Sequence, residues 1–243
     1  MRSGLFSLCR CGSGAARGRV GSGMTSETVT ADVRGFRGEA LPCVVNRHPP
    51  GEAVGAALLL PGLGYGARQP GLLYPALLLD ELGFDTLTLD TRWNVPAFMD
   101  APQAEQLAWL RADVWAACRA ILPGRGGACV VAKSIGTLGL TLLLQGGAVP
   151  PGARLVWLTP LLERPEVRAA IAAHAATSLV VIGTQDGQCR PGWLTELTGA
   201  GVRVLVLDGV SHALRVEGDV VGTLGALHAL MRGLRAFLTG QAA

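Results

Sequence analysis

Charge is scarce in this chain. Asp, Glu, Lys and Arg make up 16% of its 243 residues, and Lys133 is the lone lysine among 21 basic side chains. Long apolar runs are missing too, although 49% of the residues are hydrophobic and mean hydropathy is +0.38. The runs at 56–60 and 138–144 end at Pro, Gly or Gln, well short of the roughly 20 residues that a spanning helix needs. No membrane partner is expected. So much apolar material without a span implies a soluble protein with a large core and strands buried on both faces.

An excess of basic charge is missing from the part of the chain that folds. Arg2, Arg10, Arg17 and Arg19 lie within residues 1–23, which hold no acid; the remainder has 17 basic and 18 acidic groups. Nucleic acid is not an expected partner, because binding phosphates needs a basic patch on the folded domain. The 1–23 stretch is rich in Gly, Ser and Arg and has no period, and its apolar piece is too short for a secretory leader. It is read as an extension outside the fold, either upstream reading frame before Met24 or an organelle presequence. Residues 24–243 then form one domain.

Clustered cysteines are lacking. Cys9, Cys11, Cys43, Cys118, Cys129 and Cys189 are scattered, and Cys129 lies inside an apolar strand pattern, which suits a reduced, cytoplasmic protein. Cys9 and Cys11 have no further pair of ligands nearby to complete a zinc site. No metal is expected.

What the chain does have is alternation. Strand patterns at 28–33 and 41–46 precede a continuous apolar run at 56–60, and further strands are predicted at 84–90, 128–132, 155–158, 179–183 and 202–207. Helical patterns fall between them at 72–82, 103–122, 135–144, 164–174 and 191–197, and a last helix spans 216–238. The fold class is α/β: one doubly wound, mostly parallel sheet with helices on both faces. The 19 residues of 159–177 leave no room for a cap domain.

In such a sheet chemistry sits beyond the carboxyl ends of the strands. Three of those loops hold a Ser, an Asp and a His in that chain order. Val130-Val131-Ala132-Lys133-Ser134-Ile135-Gly136-Thr137 joins strand to helix and matches the nucleophile elbow G-x-S-x-G with Ala132 in the first glycine position. Positions two before and two after the nucleophile must be small, and Ala132 and Gly136 are. Ser134 would stand at a helix N-terminus, where the dipole and the Ile135 N–H favour an oxyanion. Asp186 follows the strand at 179–183, and His212 lies between the last strand and the last helix. His212 is the expected general base for Ser134, and Asp186 the group that orients it. Asp208, four residues from His212, is read as shaping that turn. Lys133 is read as a substrate- or surface-facing charge, since neighbours along the elbow point in different directions. His48, His174 and His228 are read as structural.

From about residue 56 onward the chain resembles the α/β-hydrolase superfamily, most of all its small, lidless, dienelactone-hydrolase-like members. The resemblance is carried by LLLPGLGYG, VVAKSIGT, VIGTQDG and LDGVSHAL. It implies that the N–H groups of Leu63 and Ile135 form the oxyanion hole. Pro61-Gly62 replaces the frequent His-Gly, and Ala132 replaces Gly, with the backbone donors left available. The implied activity is that of a serine esterase or related acyl hydrolase acting on a small-molecule ester, thioester or lactone without an organic cofactor. The loop at 91–102 is apolar at its centre, and Trp93 and Phe98 with Tyr65 and Tyr74 are expected to overhang the site as an acyl or alkyl pocket. Oligomeric state is left open.

Two rival readings are considered. Gly62-Leu63-Gly64-Tyr65-Gly66-Ala67 with Asp90 fits a dinucleotide fingerprint, but Gln69-Pro70-Gly71 interrupts the helix start that a pyrophosphate needs. The other rival is a non-catalytic binding protein on the hydrolase fold.

Overall fold

The computed structural model describes residues 26–29, 31–91, 93–124 and 126–241. The expected extension at 1–23 lies outside these residues. Among them, the strands are β1 (Glu27–Val29), β2 (Cys43–Arg47), β3 (Gly55–Leu60), β4 (Phe84–Leu89), β5 (Ala128–Lys133), β6 (Arg154–Leu158), β7 (Ser178–Gly183) and β8 (Arg203–Leu207). They form one sheet in the order β1-β2-β4-β3-β5-β6-β7-β8. β2 runs antiparallel to β1 and β4, and every pairing from β4 to β8 is parallel. All residues of β3 and β7 are buried, as expected of parallel strands covered on both faces.

One face is covered by α1 (Pro70–Glu81) and α7 (Val220–Thr239), packed on Ala57, Leu59, Cys129 and Val131. The other is covered by α3 (Gln103–Ile121), α4 (Ile135–Gln145), α5 (Pro165–Ala173) and α6 (Pro191–Gly199), packed on Leu58, Leu60, Val130 and Ala132. The two clusters alternate along β3 and β5 with the period of two that a strand imposes. Strand order reverses at β3: the chain crosses from β3 to β4 on one side and returns to β5 on the other. A ligand crevice opens at such a switch point, beyond the carboxyl ends of the two strands. The β6–β7 connection carries α5 and a short 3-10 turn (Ala175–Thr177), with no inserted cap.

Three elements differ from the sequence pattern. β1 is shorter than 28–33 because the next residues turn back: the Leu41 N–H donates to the Val33 carbonyl at 2.7 Å, and Arg34 bridges Ala40. α7 starts at Val220 rather than 216, because Asp219 caps it by accepting from the Gly222 N–H at 2.8 Å. A short helix, α2 (Pro96–Met99), forms inside the loop at 91–102. Among the described residues no helix is long and apolar enough to cross a membrane.

Candidate active site

The β5–α4 turn leaves no residue between strand and helix except Ser134, which takes φ 51° and ψ −117°. That conformation strains a residue with a Cβ, typically by about 1–3 kcal/mol. It is held from both sides. The Ser134 N–H donates to the Leu158 carbonyl at 3.0 Å, and the Ser134 carbonyl accepts from the Thr137 N–H at 2.9 Å and from the Thr137 hydroxyl.

Gly136 lets the turn close: a Cβ there would lie 2.6 Å from the Pro61 carbonyl oxygen and 2.8 Å from that of Leu60. Gly136→Ala is therefore expected to destabilise the protein by about 1–3 kcal/mol through overpacking against backbone. The check is a lower urea midpoint at unchanged slope. A wild-type midpoint would show that the elbow has slack.

Asp186 and His212 arrive from the loops after β7 and β8. Those loops are laced together by backbone bonds from Thr184 to Leu207 and from Gln185 to Val210, both at 2.9 Å. Gly183 permits the approach, since a Cβ there would sit 2.0 Å from the Val210 carbonyl oxygen. The result is a continuous chain of side chains. His212 Nε2 lies 2.8 Å from Ser134 Oγ, and His212 Nδ1 lies 2.8 Å from Asp186 Oδ2. The Asp186 carboxylate is 2% exposed and accepts a second bond from the Gln188 N–H at 3.0 Å, whereas the imidazole is 42% exposed. Asp208 accepts from the Thr184 hydroxyl at 3.1 Å, which joins the loops after β7 and β8.

Beside Ser134 opens a cleft of about 200 Å³ lined by Leu63, Phe98, Leu107, Leu110, Ile135 and Leu138, with Gln103, Gln106, Leu161 and Arg164 completing its wall. Leu63 and Ile135 thus share a cavity with the serine. Ile135 opens α4, where the first N–H groups have no acceptor within the helix. Phe98 lies in this wall. Trp93 does not: it is fully buried, and its indole N–H donates to Asp113 at 2.9 Å, because a buried indole turns toward an acceptor in the core. Tyr65 is also drawn away; its hydroxyl accepts from the Gly71 N–H at 2.8 Å and it borders a different cavity with Arg68 and Asn94. Tyr74 lies in the groove between α1 and α7. Of the pocket side chains that the sequence reading did not name, Leu138, Leu161 and Arg164 are scattered along the chain, whereas Gln103, Gln106, Leu107 and Leu110 follow each other at helical spacing on α3. That stripe was the available signal.

Lys133 departs most from its sequence reading. It is 2% exposed, not surface-facing. Burial pushes its ammonium down to about 8, with the nearby Asp186 carboxylate opposing the shift. Cys118 and Cys129 are buried thiols pushed up to about 11 and about 12 by desolvation, so neither is a ready nucleophile at neutral pH. Asp90, which follows β4, accepts from the Ala67 N–H at 2.7 Å and is thereby committed to the glycine loop after β3. With α1 starting only at Pro70, the glycine loop has no helix N-terminus for a pyrophosphate. His48 lies between Asp80 and Asp85, and His174 Nδ1 faces the Ala170 carbonyl at 2.9 Å, both remote from Ser134 in the fold. Among the described residues no group of His, Cys, Asp and Glu side chains is placed to hold a metal ion.

No family model and no curated protein matches the chain. Solved structures do. Est1E from Butyrivibrio proteoclasticus, with ferulic acid bound, is 15% identical at a TM-score of 0.60, covering 87% of this chain and 99% of that one. Dienelactone hydrolase from Anabaena variabilis is 17% identical at 0.61, over 90% and 99% of the two chains. An alpha-beta serine hydrolase homologue from Coxiella burnetii is 17% identical at 0.56, over 86% and 95%. This chain has the α/β-hydrolase fold, in its small form without a cap.

Proposed function

We propose that the protein is a serine hydrolase that cleaves small-molecule esters or related acyl compounds. The observation that carries this reading is the unbroken line Ser134 Oγ–His212 Nε2 and His212 Nδ1–Asp186 Oδ2, both links 2.8 Å. A nucleophile bonded to a base, and a base bonded to a buried carboxylate, is the arrangement that makes a serine hydroxyl reactive. Ser134 Oγ attacks the acyl carbon while His212 Nε2 takes its proton. Negative charge collects on the carbonyl oxygen, which the Leu63 and Ile135 N–H groups receive. His212 then returns the proton to the departing alcohol, leaving an acyl group on Ser134. Water, deprotonated by the same imidazole, attacks that acyl carbon and releases the acid. Throughout, Asp186 holds the Nδ1 proton and offsets the imidazolium charge.

The apolar cleft beside Ser134 supports an apolar acyl group. At about 200 Å³ it is smaller than the roughly 300–1,000 Å³ of sites for drug-sized ligands, which favours a short or medium acyl chain or a single aromatic ring. Turnover of p-nitrophenyl esters of increasing chain length tests the reading. Activity is expected to rise from acetyl to an intermediate length and then fall. Leu138→Phe is expected to shift the optimum toward shorter chains and Phe98→Ala toward longer ones, each by about 10-fold in relative kcat/KM. A chain-length profile that neither variant moves would place the acyl group elsewhere, and a wild type inert toward all of the esters would remove the esterase reading.

A further inference from the structure

Lys133 closes β5 one residue before Ser134. Its side chain falls on the face shared by Cys129 and Val131, the α1 and α7 side of the sheet. There the ammonium meets three partners from three loops. It donates to the His212 carbonyl at 2.9 Å and to the Thr159 hydroxyl at 3.1 Å, and it lies 4.4 Å from the centroid of the Tyr65 ring. An ammonium has three N–H donors, so two hydrogen bonds and one aromatic face engage it fully. Thr159 follows β6 with φ 43°, a strained position held in turn by a bond from its N–H to the Val181 carbonyl at 2.7 Å. Tyr65 belongs to the same loop as Leu63, whose N–H serves the oxyanion.

We infer that Lys133 is a positioning residue for the triad: its ammonium ties the loops after β3, β6 and β8 to the back of the elbow and so holds His212 in register with Ser134. This rests on the serine-hydrolase reading above. A buried charge is a costly way to join loops, and packing alone would be served by an apolar side chain of the same length. What methionine cannot do is fix a carbonyl of the residue that carries the general base. The titratable groups near the ammonium are Asp186 from the loop after β7 and the Tyr65 phenol from the loop after β3, and His212 meets it through its carbonyl.

Stability and activity should therefore respond in opposite ways. Burial lowers the Lys133 ammonium to about 8 against an ordinary value of about 10.4. Between those values the unfolded chain binds more protons, so this group's contribution to stability rises with pH across that window. In the folded chain the ammonium gives up a proton, and with it the charge that faces the Tyr65 ring, as pH rises through about 8, so labelling by a serine-directed reagent should fall there.

The test compares Lys133→Met, Thr159→Val and Tyr65→Leu with wild type in the full chain. The readouts are the rate of reaction with a fluorescent alkyl fluorophosphonate across the pH range, and thermal unfolding. Lys133→Met is expected to unfold at or above the wild-type temperature yet label about 10–100-fold more slowly, the size of effect that a misplacement of about 1 Å produces. The decline of wild-type labelling above about pH 8 should be absent from it. Wild-type rates and an unchanged pH profile in folded Lys133→Met would overturn the inference. Should that variant fail to fold, slower labelling by folded Thr159→Val and Tyr65→Leu supports it, and wild-type rates in both overturn it. A wild type that does not label at all overturns instead the serine-hydrolase reading, and this inference with it.

Discussion

Ser134→Ala is expected to reduce turnover of the best p-nitrophenyl ester by about 10⁶-fold while leaving the fold intact. The size follows from what is removed: a nucleophile that acts as a unit with its base costs nearly as much to lose as the whole triad. Residual activity, if any, would come from the oxyanion donors and binding alone. Alanine also removes no core contact, since Ser134 occupies a turn, although its strained φ of 51° is retained. Thermal unfolding within a few degrees of wild type, together with lost turnover, is the expected pair. Undiminished turnover would assign the nucleophile to another residue.

The second large effect is expected at the acid. Asp186→Asn should lower kcat by about 10⁴-fold at neutral pH, in line with the tautomer effect of this change in other triads. An asparagine amide presented to Nδ1 at 2.8 Å would donate rather than accept. The ring would then carry its proton on Nε2, the nitrogen that must accept from Ser134. His212→Ala is expected to lose at least as much, having no base at all. The distinguishing measurement is the rate of the first, acylating turnover by stopped flow with each variant. A drop in both rates, with KM little changed, marks groups that act in the transition state. An Asp186→Asn enzyme as fast as wild type would mean that another acceptor, Asp208 being nearest in sequence, orients the imidazole.

The candidate site was legible in the sequence because topology restricts where chemistry can sit. Once strand and helix alternate, only the loops at carboxyl ends matter, and three of these held Ser134, Asp186 and His212. The strand cores were readable for a related reason: β3, β5 and β7 each hold an unbroken apolar run with Gly or Pro on at least one side. Side-chain direction within a loop was less readable. Trp93 and Phe98 stand five residues apart on one apolar loop, yet the indole turns inward to Asp113 while the phenyl ring lines the cleft. Asp113 itself is a buried carboxyl that burial pushes up, with bonds from the Phe36 N–H and the Trp93 indole pulling the other way. Nothing local to residue 93 announces a partner twenty residues downstream. Lys133 was misread for a similar cause. A lysine beside an exposed-looking turn suggests a surface charge, but strand alternation sends it to the inner face. There the hydroxyl and carbonyl that receive it come from loops 26 and 79 residues away.

Where a phosphonate attaches tests the assignment of Ser134 most directly. Wild-type protein treated with an alkyl fluorophosphonate should gain the mass of one phosphonyl group, and peptide mapping should place it on Ser134. The Ser134→Ala variant should gain none. An adduct on any other residue, or a folded wild type that stays unmodified, would contradict the assignment of Ser134 as an activated nucleophile.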